Sequence, residues 1–394
     1  MTLDCRFLVS ILIVLCFLSA HRFVAFASAQ DALEIGRIEL ADHETRILDT
    51  KDLPKGWAVV SDPDLVKFGK SWWMFFNSLQ LDRTRDLPIH ILSAHLPPGE
   101  GLDSDPHHWI VSPYPVISPG PPGSWDDHTT ETPKYVAGYD ASAKQWVRRI
   151  YYVGWRIIDR KKRIKDYRIG FTQWDGTRWK KHEGSILTGT HEWERLKGYS
   201  FIGDQSLYYE PDQGPNGAQG TWHMWYQTTS KANQGGPALV HVTSDDGVQW
   251  VGKKRLSHAV PFANAVTKTG PFHLDVFVKQ GTFYFTGFLY NQEDLSRQGL
   301  WITSSRTPDG SKQGDFRVWQ PLLYENNGTA WHDSGLTSST CHATGLFSAT
   351  LKEEDGRYWL FYHGYYRTGA VNDPCHDFSK NSGAIGRARI SVLP

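Results

Sequence analysis

The sequence predicts an all-β chain folded as a five-bladed β-propeller of four-stranded antiparallel blades. Three observations predict it. The composition is rich in aromatic strand formers and turn residues, with 17 Trp, 17 Tyr, 19 Phe and 36 Gly, and no long stretch spaces its apolar residues at helical intervals. One module returns five times: a polar or acidic residue, an apolar run, a turn, and an aromatic strand. A second hairpin follows most copies, so each repeat supplies four strands, and a ring of such sheets is a propeller. A long β-sandwich would not explain why the same two-hairpin module recurs.

The chain opens with Arg6, an apolar run from Phe7 to Ala20, and Ala27-Ser28-Ala29. A charged start, an apolar middle and a small-x-small site read as an export signal over residues 1–29. The run is short for a membrane span. Residues 30–394 are then expected to form one propeller domain, secreted or periplasmic after cleavage.

The five modules follow in order. Asp62-Pro63-Asp64 leads through LVKF and Gly69 to SWWMFF. Glu131-Thr132-Pro133 leads through KYVAGYD to QWVRRIYYVGW. Asp204 leads through QSLYYE and Gly220 to TWHMWYQ, and Asp275 through VFVKQ and Gly281 to TFYFTGF. His342 leads through ATGLFSATL and Gly356 to RYWLFYH. The second hairpins include IGFTQWDGTRW and LVHVTSDDGVQW, whose Asp-Gly pairs at 175–176 and 246–247 are strong hairpin signals. Trp125, Trp193 and Trp331 precede later modules at similar places and read as packing residues, with sugar stacking as the alternative. The basic run from Asp159 to Lys165 reads as a solvated hairpin tip.

Charge and cysteines narrow the function classes. The chain carries 42 basic and 42 acidic residues. A neutral balance argues against nucleic acid or an anionic membrane as the main partner. Beyond the leader only Cys341 and Cys375 remain, a candidate disulfide in an exported protein, with two unpaired thiols as the alternative, and not a metal motif. There is no phosphate-binding Gly-rich loop and no G-x-S-x-G elbow.

In a propeller the starts of the inner strands face one central pocket. The repeat places Asp62 or Asp64, Glu131, Asp204, Asp275 and His342 there. Clustered buried carboxylates repel one another and lose hydration, so a fold keeps such a ring only with compensation or purpose. Cleaving a glycosidic bond needs two of them, one to activate water or attack and one to deliver a proton.

Here the motifs resemble a known family. SDPDLVKFGKSWWMFF resembles the first-blade motif of glycoside hydrolase family 43, which implies Asp62 as general base with Asp64 beside it. IGDQSLYY is similar to the segment whose Asp tunes the acid, which implies that role for Asp204. STCHATGLFSATLKEEDGRYWLFYHGY resembles the fifth-blade motif and implies an axial His, here His342, that touches substrate or a structural Ca2+; no cofactor is required. The PGSWDD run resembles related propellers of families 32, 117 and 130, and Trp125 and His128 are candidate substrate contacts beside it. One departure is clear. Family 43 carries its acid in an E-x-P motif after the tuning Asp, whereas the only E-x-P here, at Glu131, comes one blade early, and the fourth blade offers His273 and Asp275. Family 117 resembles a propeller that uses His as acid. Glu131, His273 and Asp275 all stand as acid candidates. The resemblance implies a glycosidase acting on plant or algal poly- or oligosaccharides, inverting in the family 43 manner. The alternatives are a non-catalytic carbohydrate-binding propeller and a retaining fructan-type hydrolase or transferase. Nothing in the sequence points to an oligomeric state.

Overall fold

The computed structural model describes residues 39–81, 88–162, 164–212, 220–229, 237–256, 270–290, 299–311, 315–317, 319–324, 346–367 and 381–391. Apart from Glu39 and Ser391 these belong to one compact unit, Leu40–Ile390. The leader, Trp331, Cys341, His342 and Cys375 lie outside the described residues.

Five antiparallel sheets form the propeller. Blade 1 is ordered Trp57–Phe68, Ser71–Gln80, Ile89–His95, Ile110–Val111. Blade 2 is Thr129–Asp140, Gln145–Asp159, Ile164–Trp174 and Leu187–Thr188, with Trp179–Lys181 also paired to the third strand. Blade 3 is Ile202–Glu210, Thr221–Thr229, Pro237–Ser244, Val251–Arg255. Blade 4 is Gly270–Lys279, Thr282–Tyr290, Gly299–Ser305, Gln320–Tyr324. Blade 5 takes Leu346–Glu354, Arg357–Arg367 and Asn381–Ser391 from the end of the chain, and its outermost strand, Glu39–Asp49, from the beginning. The repeat did not reveal that last strand, because it follows no inner strand of its own. It ties the two ends of the ring together and shields a sheet edge.

Local chemistry accounts for the hairpins. Gly69, Gly281 and Gly356 sit at the first turn of blades 1, 4 and 5 with φ of 59°, 74° and 74°, a region where a Cβ is unfavourable. The aromatic second strands bury their side chains between neighbouring blades. Phe75 and Ile91 of blade 1 meet Ile150 and Tyr152 of blade 2. Tyr151 and Phe171 meet Trp222, Met224 and Tyr226 of blade 3. Trp225 meets Leu274, Phe285 and Trp301 of blade 4, and Met74 and Phe76 meet Trp359 and Phe361 of blade 5. Each such side chain removed from water contributes roughly 1.5–3 kcal/mol. The blade faces are therefore the core, and the inner-strand starts are left to line the axis.

Candidate active site

Every inner strand breaks register with its neighbour close to its start. The breaks fall between Ser61 and Asp64, Glu131 and Lys134, Gly203 and Ser206, Phe272 and Asp275, and Phe347 and Ala349. These are β-bulges, which re-aim a side chain. Asp62, Thr132, Asp204 and His273 occupy them with φ of 49°, 52°, 48° and 48°. A non-glycine residue in that region costs about 1–3 kcal/mol, and here four blades hold one at the same place. Ser348 lies in the fifth break and lines the same narrow axial throat as Asp62, Asp204 and His273.

Side-chain amides stitch these bulges together. Asn77 donates to Asp62 Oδ2, and its Oδ1 accepts the Thr132 N–H at 2.8 Å. Gln205 Nε2 donates to the Thr132 carbonyl at 2.6 Å. Blades 1, 2 and 3 are thus fixed to one another at the level of the carboxylates.

His273 stands between two of those carboxylates. Its Nδ1 is 3.3 Å from Asp62 Oδ1 and 3.3 Å from Asp204 Oδ1. Burial disfavours the imidazolium, but Asp204 and Asp62 outweigh burial and raise His273 to about 9. For Asp62 burial pulls toward the neutral acid, yet His273 holds its carboxyl well below the usual range. Asp204 is raised, chiefly by burial, with the Asp62 charge adding and His273 opposing.

Glu131 belongs to the same group but sits one residue before the bulge, opposite Val153. The indole Nε1 of Trp155 donates to its Oε1 at 3.1 Å. Burial, then the charges of Asp62 and Asp204, raise Glu131 to about 7, with Lys165 and His273 partly offsetting them. Glu131 and Asp204 line one cavity of about 220 Å³ together with Tyr167, Phe201, Gln227 and Thr228. Aromatic walls with a few convergent polar groups are the usual form of a small-ligand site.

No protein-family model and no curated protein matches the chain by sequence. Solved structures do match. A protein solved in an RGII complex aligns at 13% identity over 89% of this chain and 92% of that one, with a TM-score of 0.59. An alpha-L-arabinofuranosidase from Lactobacillus brevis aligns at 12% over 86% and 93%, TM-score 0.53. A thermostable family-43 glycoside hydrolase aligns at 12% over 88% and 96%, TM-score 0.51. The fold is that of the propeller glycoside hydrolases.

Within this propeller, one strand-start assignment changes. The residue of blade 4 at the bulge is His273, not Asp275. Asp275 falls in the register of Asp64, just past the bulge and one layer deeper. There Asp275 takes Lys134 Nζ at 2.9 Å, Thr350 Oγ1 at 2.7 Å and Ser206 Oγ at 3.2 Å, so its lone pairs are engaged. Lys134 and Lys352 are the foremost charges that hold it ionised against burial. Asp64 takes Lys352 Nζ at 3.0 Å and the Tyr135 N–H at 2.7 Å. Both acids, assigned from sequence to the pocket, are buried supports beneath it. In blade 5 the described residue at the break is Ser348, and His342 lies outside the described residues.

Trp125 stacks on Tyr152 with centroids 5.5 Å apart and packs over Gly154 and Gly170. It does not line the cavity, and packing accounts for it. His128 leans on Trp155, centroids 4.4 Å apart, behind the indole that serves Glu131.

Sequence reasoning missed three contributors. His363, in the second strand of blade 5, is buried and brought down to about 4, by burial first, with His273 adding and Asp62 opposing. It is a neutral imidazole near two charged groups. A histidine inside the apolar run RYWLFYH was its only signal. Trp155 and Tyr167 are adjacent across the blade 2 ladder, and nothing in their local sequence marks them off from the core aromatics. Among the described residues no group of three or more His, Cys, Asp or Glu is arranged to hold a metal ion. The charges balancing Asp64 and Asp275 at the axis are the ammonium groups of Lys134 and Lys352.

Proposed function

We propose that the protein is an exported glycoside hydrolase acting on plant or algal poly- or oligosaccharides, with Asp62 as general base, Glu131 as general acid and Asp204 as the residue that tunes them. The observation that carries this reading is the opposite ionisation of two carboxyl groups in one site. Asp62 is held ionised by His273, while Glu131 is raised to about 7 by burial and by its acidic neighbours. Paired acids driven apart in this way are suited to opposite roles. Glu131 delivers its proton to the leaving oxygen as the glycosidic bond breaks. Asp62 takes a proton from the water that attacks the sugar from the other side. The likeness to family 43 supports inversion.

Of the three acid candidates Glu131 is favoured. Asp275 is saturated by Lys134, Thr350 and Ser206. His273 is paired with both Asp62 and Asp204, and surrendering its proton would leave two carboxylates facing each other. The E-x-P glutamate on blade 2 reaches the cavity that Asp204 lines, which weakens the case for a propeller that has lost its acid. The test is hydrolysis of arabinan, xylan and agar oligosaccharides, with the anomeric form of the first product followed by NMR. Turnover with inversion, abolished in Asp62→Asn, is expected. Full activity in Asp62→Asn would remove the assignment, and a retained anomer would make Asp62 a nucleophile instead.

A further inference from the structure

We infer that the substrate carries an anionic group and that Lys165 receives it at the rim of the cavity. The inference rests on the hydrolase reading for its place in the molecule, but binding alone can test it.

Side chains alternate faces along a strand, so Lys165 and Tyr167 lie on one face of the third strand of blade 2. Tyr167 lines the cavity. Lys165 is the next residue outward on that face, and its Nζ is 5.8 Å from the Tyr167 ring. The same Nζ lies 3.8 Å from the ring of Trp155, the indole bonded to Glu131. An ammonium is therefore held above the aromatic wall, beside the acid that faces the sugar.

The rest of the wall makes this placement selective. Glu131 and Asp204 are acids of the cavity and Asp62 adjoins it. The imidazolium of His273 is engaged by Asp62 and Asp204 at 3.3 Å each, so the ammonium at the rim is the cation placed to meet an anionic substituent. The hairpin that carries Lys165 also holds Arg160, Lys161 and Lys162 in sequence. In the same hairpin Asp166 takes Arg156 at 3.5 Å and Arg168 at 2.8 Å, and Asp159 takes Lys162 at 3.7 Å. Arg160, Lys161 and Lys162 are exposed, as a solvated tip requires, and Lys165 is the residue of the run set against the aromatic wall. That arrangement orients a saccharide with its acid group outward and its scissile bond inward. A uronate and a sulfate ester share this chemistry.

The experiment measures calorimetric binding to the Asp62→Asn protein, in which hydrolysis is blocked. The probes are uronate oligosaccharides with their carboxyl-reduced counterparts, and sulfated galactan oligosaccharides with their desulfated counterparts. In one pair the charged member is expected to bind about tenfold more tightly, which corresponds to about 1.4 kcal/mol. Whichever pair shows the difference names the source of the charge. Lys165→Met should erase the preference, bringing the charged member's affinity to that of its neutral counterpart, and Lys165→Arg should keep it. Should Lys165→Met not fold, loss of the preference with rising salt in the parent serves as the second readout. Equal binding of charged and neutral members in both pairs, or a preference that survives Lys165→Met, overturns the inference. Charged-sugar binding without turnover in the unmodified enzyme would keep this inference and remove the hydrolase. Turnover of neutral sugars with no preference would do the reverse.

Discussion

His273 Nδ1 and Asp62 Oδ1, from blades 4 and 1, lie 3.3 Å apart across the propeller axis. The pair holds the Asp62 carboxyl well below its usual range against burial, and Asp204 braces the imidazole from blade 3 at the same distance. His273→Gln removes the cation between two acids. The Asp62 pKa then rises, the acidic limb of the activity profile moves to higher pH, and kcat/KM falls about a hundredfold. Following kcat/KM from pH 4 to 9 in the two proteins checks this.

The same pair makes a stability prediction with a definite sign. His273 is raised from 6.5 in the unfolded chain to about 9 in the fold. The folded state binds that proton more tightly, so its contribution is complete below about pH 6.5 and is lost as pH rises to about 9. Thermal melting followed between pH 7.5 and 9 should show Tm falling with pH, with a shallower slope in His273→Gln. An unchanged slope would mean that the imidazole is not held charged.

Glu131 should set the alkaline limb of activity. A group raised to about 7 loses its proton through neutrality, and turnover falls with it. Glu131→Gln is expected to lower kcat by about 10²–10⁴ on natural glycosides and to flatten that limb. Aryl glycosides whose leaving group needs no protonation should lose far less. A profile that keeps its alkaline limb in Glu131→Gln would return the acid role to His273.

Trp155 acts on Glu131 through one hydrogen bond of 3.1 Å. Trp155→Phe keeps most of the aromatic packing and removes the donor. A single such bond contributes about 0.5–1.5 kcal/mol, so kcat should drop about twofold to tenfold, with the loss confined to substrates that need protonation. An equal loss on activated aryl glycosides would point to packing instead.

Below the site, Lys134 and Asp275 are a buried pair at 2.9 Å joining blades 2 and 4. Removing one partner leaves a buried charge alone, at a cost of about 3–5 kcal/mol. Asp275→Leu should therefore melt well below the parent. Adding Lys134→Met should recover part of the loss, because the stranded ammonium is gone. Denaturant unfolding of the two variants checks this. A double variant no more stable than the single one would show that the pair is not the coupling unit.

The repeat of two hairpins, the turn glycines and the aromatic strands are local features, and from them the five blades were legible. Asp62 and Asp204 were legible too, as polar residues at the starts of apolar runs. The strand closing blade 5, Glu39–Asp49, was not, because its partner lies at the other end of the chain. The exchange of Asp275 for His273 has a similar origin. A bulge inserts residues without a sequence mark of its own, and Asp275 lies two residues past His273, where the ladder resumes. Asp275 becomes a support because Lys134, 141 positions away, reaches it. His363 passed unnoticed because a histidine in an apolar strand looks the same whether or not charges stand near it.

By itself, then, the sequence determined the architecture and the chemical types available at the axis, since strand alternation and turn formation depend on near neighbours. Only the tertiary structure decided which acid groups stand together at the axis, which way each is shifted and which are tied up in buried ion pairs. Those properties depend on burial and on charges a few ångströms away, and the groups that set the charge of Asp62 come from other blades.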